Sequence, residues 1–334
     1  LTLNAFNSNA AWDTTVAELD MLRVAEGTGQ TYFGLVHVDY GAGVNGIGYV
    51  GVPTAVGSDA PAEVQRVVAH ELGHTWGRWH SPCGSPGGLD PFHQYPYPGG
   101  IIGAFGFDVT AGVVKDSLRP DIMSYCPNEW ISDYTYKNVL GFRALNPSAS
   151  LGSLQPSLIV WGHIVNGRPV LEPSFRLVTR PNLPTKAGPY TLEARAADGS
   201  RLFGFSFDAA VAADGSKDSR HFAFAIPLAS GVALQSLRLS GPAGGSEVQA
   251  PAAAAGLQRR AAPDEIGIEP AVGGAMLKWN AATHPMIMVR DPDTGEVLSL
   301  LRGGTAMVQT AKREVVLEVS DGIGSHRLRR AISR

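Results

Sequence analysis

Only two of the 334 residues are cysteine, and no run of apolar residues is long enough to cross a bilayer as a helix. The scarcity of cysteine rules out a small fold held together by many disulfides. Charge is also thin: 17% of the residues are Asp, Glu, Lys or Arg, and a net charge of −3 gives no reason to expect nucleic acid or an anionic membrane as a partner. No internal repeat of fixed period is evident. The opening LTLNAF has neither a basic n-region nor an apolar h-region, so a secretory leader or pro-segment is expected only as something already removed. What is present is a 44% hydrophobic chain, longer than one typical domain and with ample material for a core.

The most informative stretch is HELGHTWGRWH, residues 70–80. On a helix, His70 and His74 lie one turn apart and can aim both imidazoles at one point. Val64, Val67, Val68 and Leu72 recur at helical intervals, and Pro61 suits a first helical position, so a helix is expected from about Pro61. Gly77 stands where a helix that must turn sharply needs positive φ, which would let His80 swing back as a third ligand. The pattern H-E-x-x-H-x-x-G-x-x-H implies one Zn2+ held by His70, His74 and His80 with a coordination position left for water, the pattern of a catalytic site. Glu71, next to the first ligand, is placed to take a proton from that water.

A second motif, DIMSYC at residues 121–126, follows about forty residues beyond His80. Together the two resemble the metzincin zinc peptidases, whose extended zinc motif is paired with a methionine turn, and the resemblance covers roughly residues 1–146. It implies that Met123 forms a hydrophobic floor beneath the metal. Met-x-Tyr is the form of the turn in astacins, serralysins and pappalysins, where the tyrosine reaches the metal or the tetrahedral intermediate. Tyr125 either does the same here or is an aromatic packed in the turn. Ser81 after His80 is the matrixin pattern instead, so no subfamily is assigned. NGIGYVG, residues 45–51, resembles the upper-rim edge strand of adamalysin-like metzincins. In that case Ile47, Gly48, Tyr49 and Val50 would hold an extended substrate by strand addition; otherwise this is an ordinary glycine-rich strand.

Cys83 follows the third histidine closely and Cys126 follows Tyr125. If both flanks converge on the zinc, the two form a disulfide, which implies an oxidising, extracellular compartment; two reduced thiols are the alternative. Asp90, His93 and Asp108 offer ligand atoms for Ca2+, but scattered carboxylates are ordinarily solvated surface, and no second metal is assigned. Residues 1–150 carry 7 basic and 14 acidic side chains and the remainder 20 and 16, a weak pointer to basic or neutral substrates.

Within the first half, Trp12, Val16, Leu19 and Leu22 mark an amphipathic helix, YFGLVHV (32–38) reads as a buried strand, and Ser132 is a candidate N-cap of a helix over WISDYTYKNVLGFRAL. Residues 81–120, rich in Gly and Pro, read as an irregular wall. Beyond Pro147 the pattern becomes short strands: SLIVWGH, SFRLVTR, YTLEARA, RLFGFSF and HFAFAI, with Asp198-Gly199 as a hairpin turn. AMLKW, MIMVR, EVLSLL and REVVLEV form a later group, with DPDTG as a turn. Trp161, Trp279, His221 and His284 read as packing or surface residues.

The expected fold is multidomain, α+β then all-β: a metzincin-like domain over 1–150, an Ig-like β-sandwich over 151–242, a Gly/Ala/Pro-rich linker over 243–262, and a small β-sandwich over 263–334. The expected function is a secreted, monomeric zinc-dependent endopeptidase acting on protein or peptide. The C-terminal modules would supply any surface or glycan contact. The competing expectation is a surface-binding or adhesion protein in which the metzincin domain is a vestige or an anchor, since more than half of the chain lies outside the zinc motifs.

Overall fold

In a computed structural model, the chain is described over residues 9–37, 45–91, 95–146, 152–216, 218–250 and 266–332. The first unit contains the three α-helices among the described residues: α1 (Asn9–Glu26), α2 (Val64–Thr75) and α3 (Asp133–Leu145). With them goes a small mixed sheet of β1 (Tyr32–Val36), β2 (Gly46–Gly48) and β3 (Thr54–Ser58), in the order β1-β3-β2. A hairpin of β4 (Gly106–Asp108) and β5 (Val113–Lys115) is the one regular sheet among the described residues between α2 and α3. The rest of the described chain is β, so the protein is a β-rich multidomain fold with several separate sheets.

Glycine lets α2 lie close to the sheet. A Cβ on Gly46 would stand 2.5 Å from Glu71 Oε1, one on Gly48 2.8 Å from the Glu71 carbonyl, and one on Gly57 2.6 Å from Val67 Cγ1. Helix α2 begins at Val64, later than the expected Pro61, but the chain coils from Ala60, whose carbonyl accepts from both Glu63 N–H and Val64 N–H. Strand β1 is not the buried strand expected for 32–37: it lies at a sheet edge with Leu35 58% exposed. Val38 lies outside the described residues.

The second unit encloses one core between two sheets. One sheet runs β10 (Arg201–Phe207), β9 (Tyr190–Ala196), β13 (Leu234–Gly241), β14 (Gly244–Gln249). The other runs β11 (Ala210–Val211), β12 (Arg220–Pro227), β6 (Gln155–Val165), β7 (Arg168–Leu171), with β8 (Phe175–Thr179) also pairing with β6. Strand β14 corrects the expected linker: residues 244–249 pair with β13 and belong to the sheet. Gly and Ser there serve an exposed edge strand, a use that composition alone does not separate from a linker. Residues 251–262 of that segment lie outside the described residues. The third unit has sheets β15 (Ile266–Ala271), β16 (Gly274–Trp279), β19 (Thr305–Gln309) and β18 (Val297–Leu301), β17 (Met286–Arg290), β20 (Glu314–Ser320), β21 (Ser325–Ala331).

Strands β6, β12 and β17 are buried on both faces, and their side chains divide by period two. Phe222, Phe224 and Ile226 enter the sandwich core with Leu158 and Val160. Ala223 and Ala225 face the other way, into a cluster with Ile159, Trp161, Phe175 and Leu177 that takes in Ala17, Met21, Val24 and Ala25 of α1 and Met286 and Met288 of β17. The small alanines make room for the helix. Helix α1 is therefore not a one-sided amphipathic helix: Trp12 and Val16 face the first unit's sheet while Met21 and Val24 face the sandwich.

Candidate metal centre

The turn after α2 is sharp. Gly77 has φ +76°, and a Cβ on it would lie 2.9 Å from the Phe142 ring. The chain then returns, and the rings of His70, His74 and His80 meet with centroids 4.7–5.3 Å apart. Each ring is held from behind. His70 Nδ1 is 2.8 Å from the Ile122 carbonyl, His74 Nδ1 is 2.7 Å from the Arg78 carbonyl, and His80 Nδ1 bonds the Gly87 carbonyl. A carbonyl can only accept, so each Nδ1 carries a proton and donates, which leaves Nε2 as the ring atom aimed at the common centre. Burial, and then the neighbouring His74, push His70 down to about 3, and burial likewise lowers His74, so both are neutral bases at physiological pH.

Met123 lies beneath α2, 1% exposed, and a Cβ on Gly73 would stand 2.3 Å from its Sδ. Asp121, which the sequence reading did not single out, fastens this turn. Its carboxylate accepts from Met123 N–H at 2.8 Å, Ser132 N–H at 2.9 Å and the Thr135 hydroxyl at 3.1 Å. Ser132 in turn caps α3 by accepting from Thr135 N–H at 3.0 Å. An aspartate followed two residues on by a buried turn residue is the pattern of an Asx-turn, a local cue available in DIM. Cys83 and Cys126 form a disulfide with Cα atoms 5.7 Å apart, joining the loop after His80 to the loop after Tyr125.

Glu71 is buried, with Oε2 unpaired among the described residues, and burial together with Asp214 pushes its carboxyl well above the usual carboxylate range. Tyr125 lies edge-on to His80 with centroids 5.0 Å apart, and burial and Asp214 push its phenol up, so it is a neutral donor.

Asp214 is the residue that sequence reasoning missed. It comes from the second unit, between β11 and β12, and its carboxylate faces all three Nε2 atoms: 3.1 Å from His74, 3.2 Å from His80 and 3.9 Å from His70. Tyr125 donates its hydroxyl to the same carboxylate. His70, His74, His80 and Asp214 thus form a buried cluster whose ligand atoms all lie within 4.8 Å of one another. All three Nε2 atoms and Asp214 Oδ2 lack a hydrogen-bond partner among the described residues. Lone pairs facing lone pairs in a buried site are costly without a shared cation. Tetrahedral ligands at zinc bond lengths stand about 3.3 Å apart, close to the 3.1 and 3.2 Å that separate Asp214 from His74 and His80. The residues fit a metal ion.

Ile47 and Tyr49 of the expected edge segment are buried, and the free edge of β2 does not face solvent: Val50 N–H donates to Val211 O at 2.9 Å and Ala213 N–H to Gly48 O at 3.2 Å, about an antiparallel bridge between Tyr49 and Ala212. Of the calcium candidates, Asp90 accepts from Tyr134 and Asp108 pairs with Lys115, while His93 lies outside the described residues. No helix among the described residues is long and apolar enough to cross a membrane. No family model and no curated protein matches the chain.

Proposed function

We propose that the protein is a secreted zinc-dependent endopeptidase, with the first unit of metzincin type and the β units Ig-like. The observation that carries this reading is the convergence of three histidine Nε2 atoms beside a buried Glu71 whose Oε2 is unpaired among the described residues. His70, His74 and His80 would hold the zinc. When bound, zinc polarises a scissile carbonyl and lowers the pKa of an attacking water. Glu71 takes the proton from that water and passes it to the leaving amine, a shuttle for which a raised carboxyl pKa is suited. The Tyr125 hydroxyl donates to the developing oxyanion, and Gly48 and Val50 would offer main-chain groups to an extended peptide once their hydrogen bonds to Ala213 and Val211 are released. The disulfide is compatible with an extracellular setting.

A second reading is favoured by Asp214. Four protein ligands are the pattern of a structural metal, and in that case the first unit is an anchoring or vestigial domain of a surface-binding protein. Metal analysis combined with casein or labelled-peptide digestion, with and without a chelator, separates the two when run on the wild type, Asp214→Ala and Glu71→Ala. Chelator-sensitive cleavage that Glu71→Ala lacks is the expected result. Folded, zinc-loaded wild type and Asp214→Ala that both leave peptide intact would overturn the peptidase reading.

A further inference from the structure

We infer that residues 211–214 of the second unit are a built-in plug, which occupies the peptide-binding edge and the open face of the histidine cluster together and must withdraw before substrate can enter. The inference rests on the metallopeptidase reading of the site.

Two contacts made by one short segment support it. The main chain of 211–213 pairs antiparallel with residues 48–50 through the two hydrogen bonds at Val211 and Ala213, as an added strand would. The next residue then delivers a carboxylate to within 3.1–3.9 Å of all three Nε2 atoms. Backbone on the edge and an oxygen ligand on the metal are the two things an extended peptide would supply.

The segment is shaped for this place. Ala212 is 8% exposed, packed with Trp12, Val16, Ile47, Tyr49 and Val56. A Cβ on Gly215 would lie 2.6 Å from Asp13 Oδ1, 2.9 Å from Ala212 Cβ and 3.2 Å from Ile47 Cδ1, so a side chain there would have to push Asp13 or the Ala212 segment aside. Ser216 N–H is then held by the Asp13 carboxylate at 3.2 Å.

Glu71 argues against a purely structural metal. Three histidines and an aspartate complete a four-coordinate site without it, yet its carboxylate is buried beside the cluster with one oxygen unpaired among the described residues. Burying such a group costs stability that a structural site has no reason to bear. Nor does the plug seal the cleft, since Tyr125 is 45% exposed.

The test uses the full chain loaded with Co2+, whose visible spectrum reports ligand exchange independently of turnover. Wild type, Asp214→Ala and Ala213→Pro are titrated with acetohydroxamate and with a peptide hydroxamate. Ala213→Pro keeps every ligand but removes the donor to Gly48 O, and so stands in if Asp214→Ala fails to fold. We expect each variant to retain one equivalent of metal and to bind the peptide hydroxamate at least about tenfold more tightly than the wild type, because the competing segment is lost or loosened. Equal affinity across the three proteins overturns the plug. Loss of the metal from Asp214→Ala also overturns it, because Asp214 would then be an indispensable ligand. Tighter hydroxamate binding without peptide cleavage by either variant leaves the plug standing and removes the peptidase reading. Chelator-sensitive cleavage with equal hydroxamate affinities does the reverse.

Discussion

At Gly73 two effects of known size oppose each other. Alanine is preferred to glycine inside a helix by about 1 kcal/mol. A Cβ at this position, however, would sit 2.3 Å from Met123 Sδ, and overpacking a core typically costs about 1–3 kcal/mol. Met123 has little room to retreat, being 1% exposed with its carbonyl accepting from Ser81 N–H next to His80. Gly73→Ala is therefore expected to lower the melting temperature and to speed metal loss to a chelator; an unchanged melt would show that the methionine relaxes freely. Glu71 and the histidines should separate cleanly. Replacing His70, His74 or His80 by Ala removes a ligand and should largely abolish stoichiometric zinc, measured by elemental analysis. Glu71→Ala should keep the metal and lose most turnover, because its carboxylate is not among the ligand atoms.

The elements around the site are tied by short segments, and the disulfide is the strongest of these ties. It closes a loop with a sequence separation of 43, which in a chain-entropy account stabilises the fold by about 4 kcal/mol. Reduction, or the Cys83→Ser/Cys126→Ser pair, should lower the melting temperature and loosen the metal together, since the bond joins the flank of His80 to that of Tyr125. A drop in stability with zinc affinity unchanged would detach the bridge from the site. How much of this was legible in the sequence follows from range. The three histidines, Glu71, Gly77 and the methionine turn are governed by helical spacing and by one tight turn, and local patterns report such things. Strands rich in β-branched and aromatic residues, such as β6, β8, β12, β17 and β20, were readable in the sequence, but what the alanines of β12 face was not, and the Gly- and Ser-containing β14 read as linker. Asp214 was not readable: it follows Val211, Ala212 and Ala213 in an unremarkable stretch ending Asp-Gly, a sequence that signals only a turn, and it lies 134 positions after His80. Its role exists only once the second unit has docked, and docking depends on surfaces drawn from three parts of the chain.

Helix α1 carries that docking for the whole molecule. Its residues Ala17, Met21, Val24 and Ala25 share one buried cluster with β6, β8 and β12 of the second unit and with β17 of the third. Beside them Asp20 lies buried, its carboxylate 2.8 Å from Arg23, 2.7 Å from the Thr54 hydroxyl and 3.3 Å from His221. Burial alone would raise its pKa, but Arg23, His221 and Thr54 outweigh burial and hold it well below the usual carboxylate range. A depressed folded-state pKa contributes stability that is present above the unfolded value of about 3.9 and is lost as pH falls toward the folded value. Acid should therefore weaken the junction between units, and Asp20→Asn, less stable at neutral pH, should show a shallower loss of stability below about pH 4 than the wild type. The shared helix also means that the first unit is incomplete by itself. Residues 1–150 expressed alone would expose the apolar face of α1, leave Asp13 and the edge of β2 without residues 211–216, and strand Asp20 without His221. Exposed apolar surface and an open strand edge favour association, so the fragment is expected to aggregate or to melt without cooperativity, while the full chain unfolds in one transition that carries the first two units together. Calorimetry of both proteins decides this: a soluble fragment with a cooperative melt near that of the full chain would show that the units are merely adjacent, and that α1 belongs to the first alone.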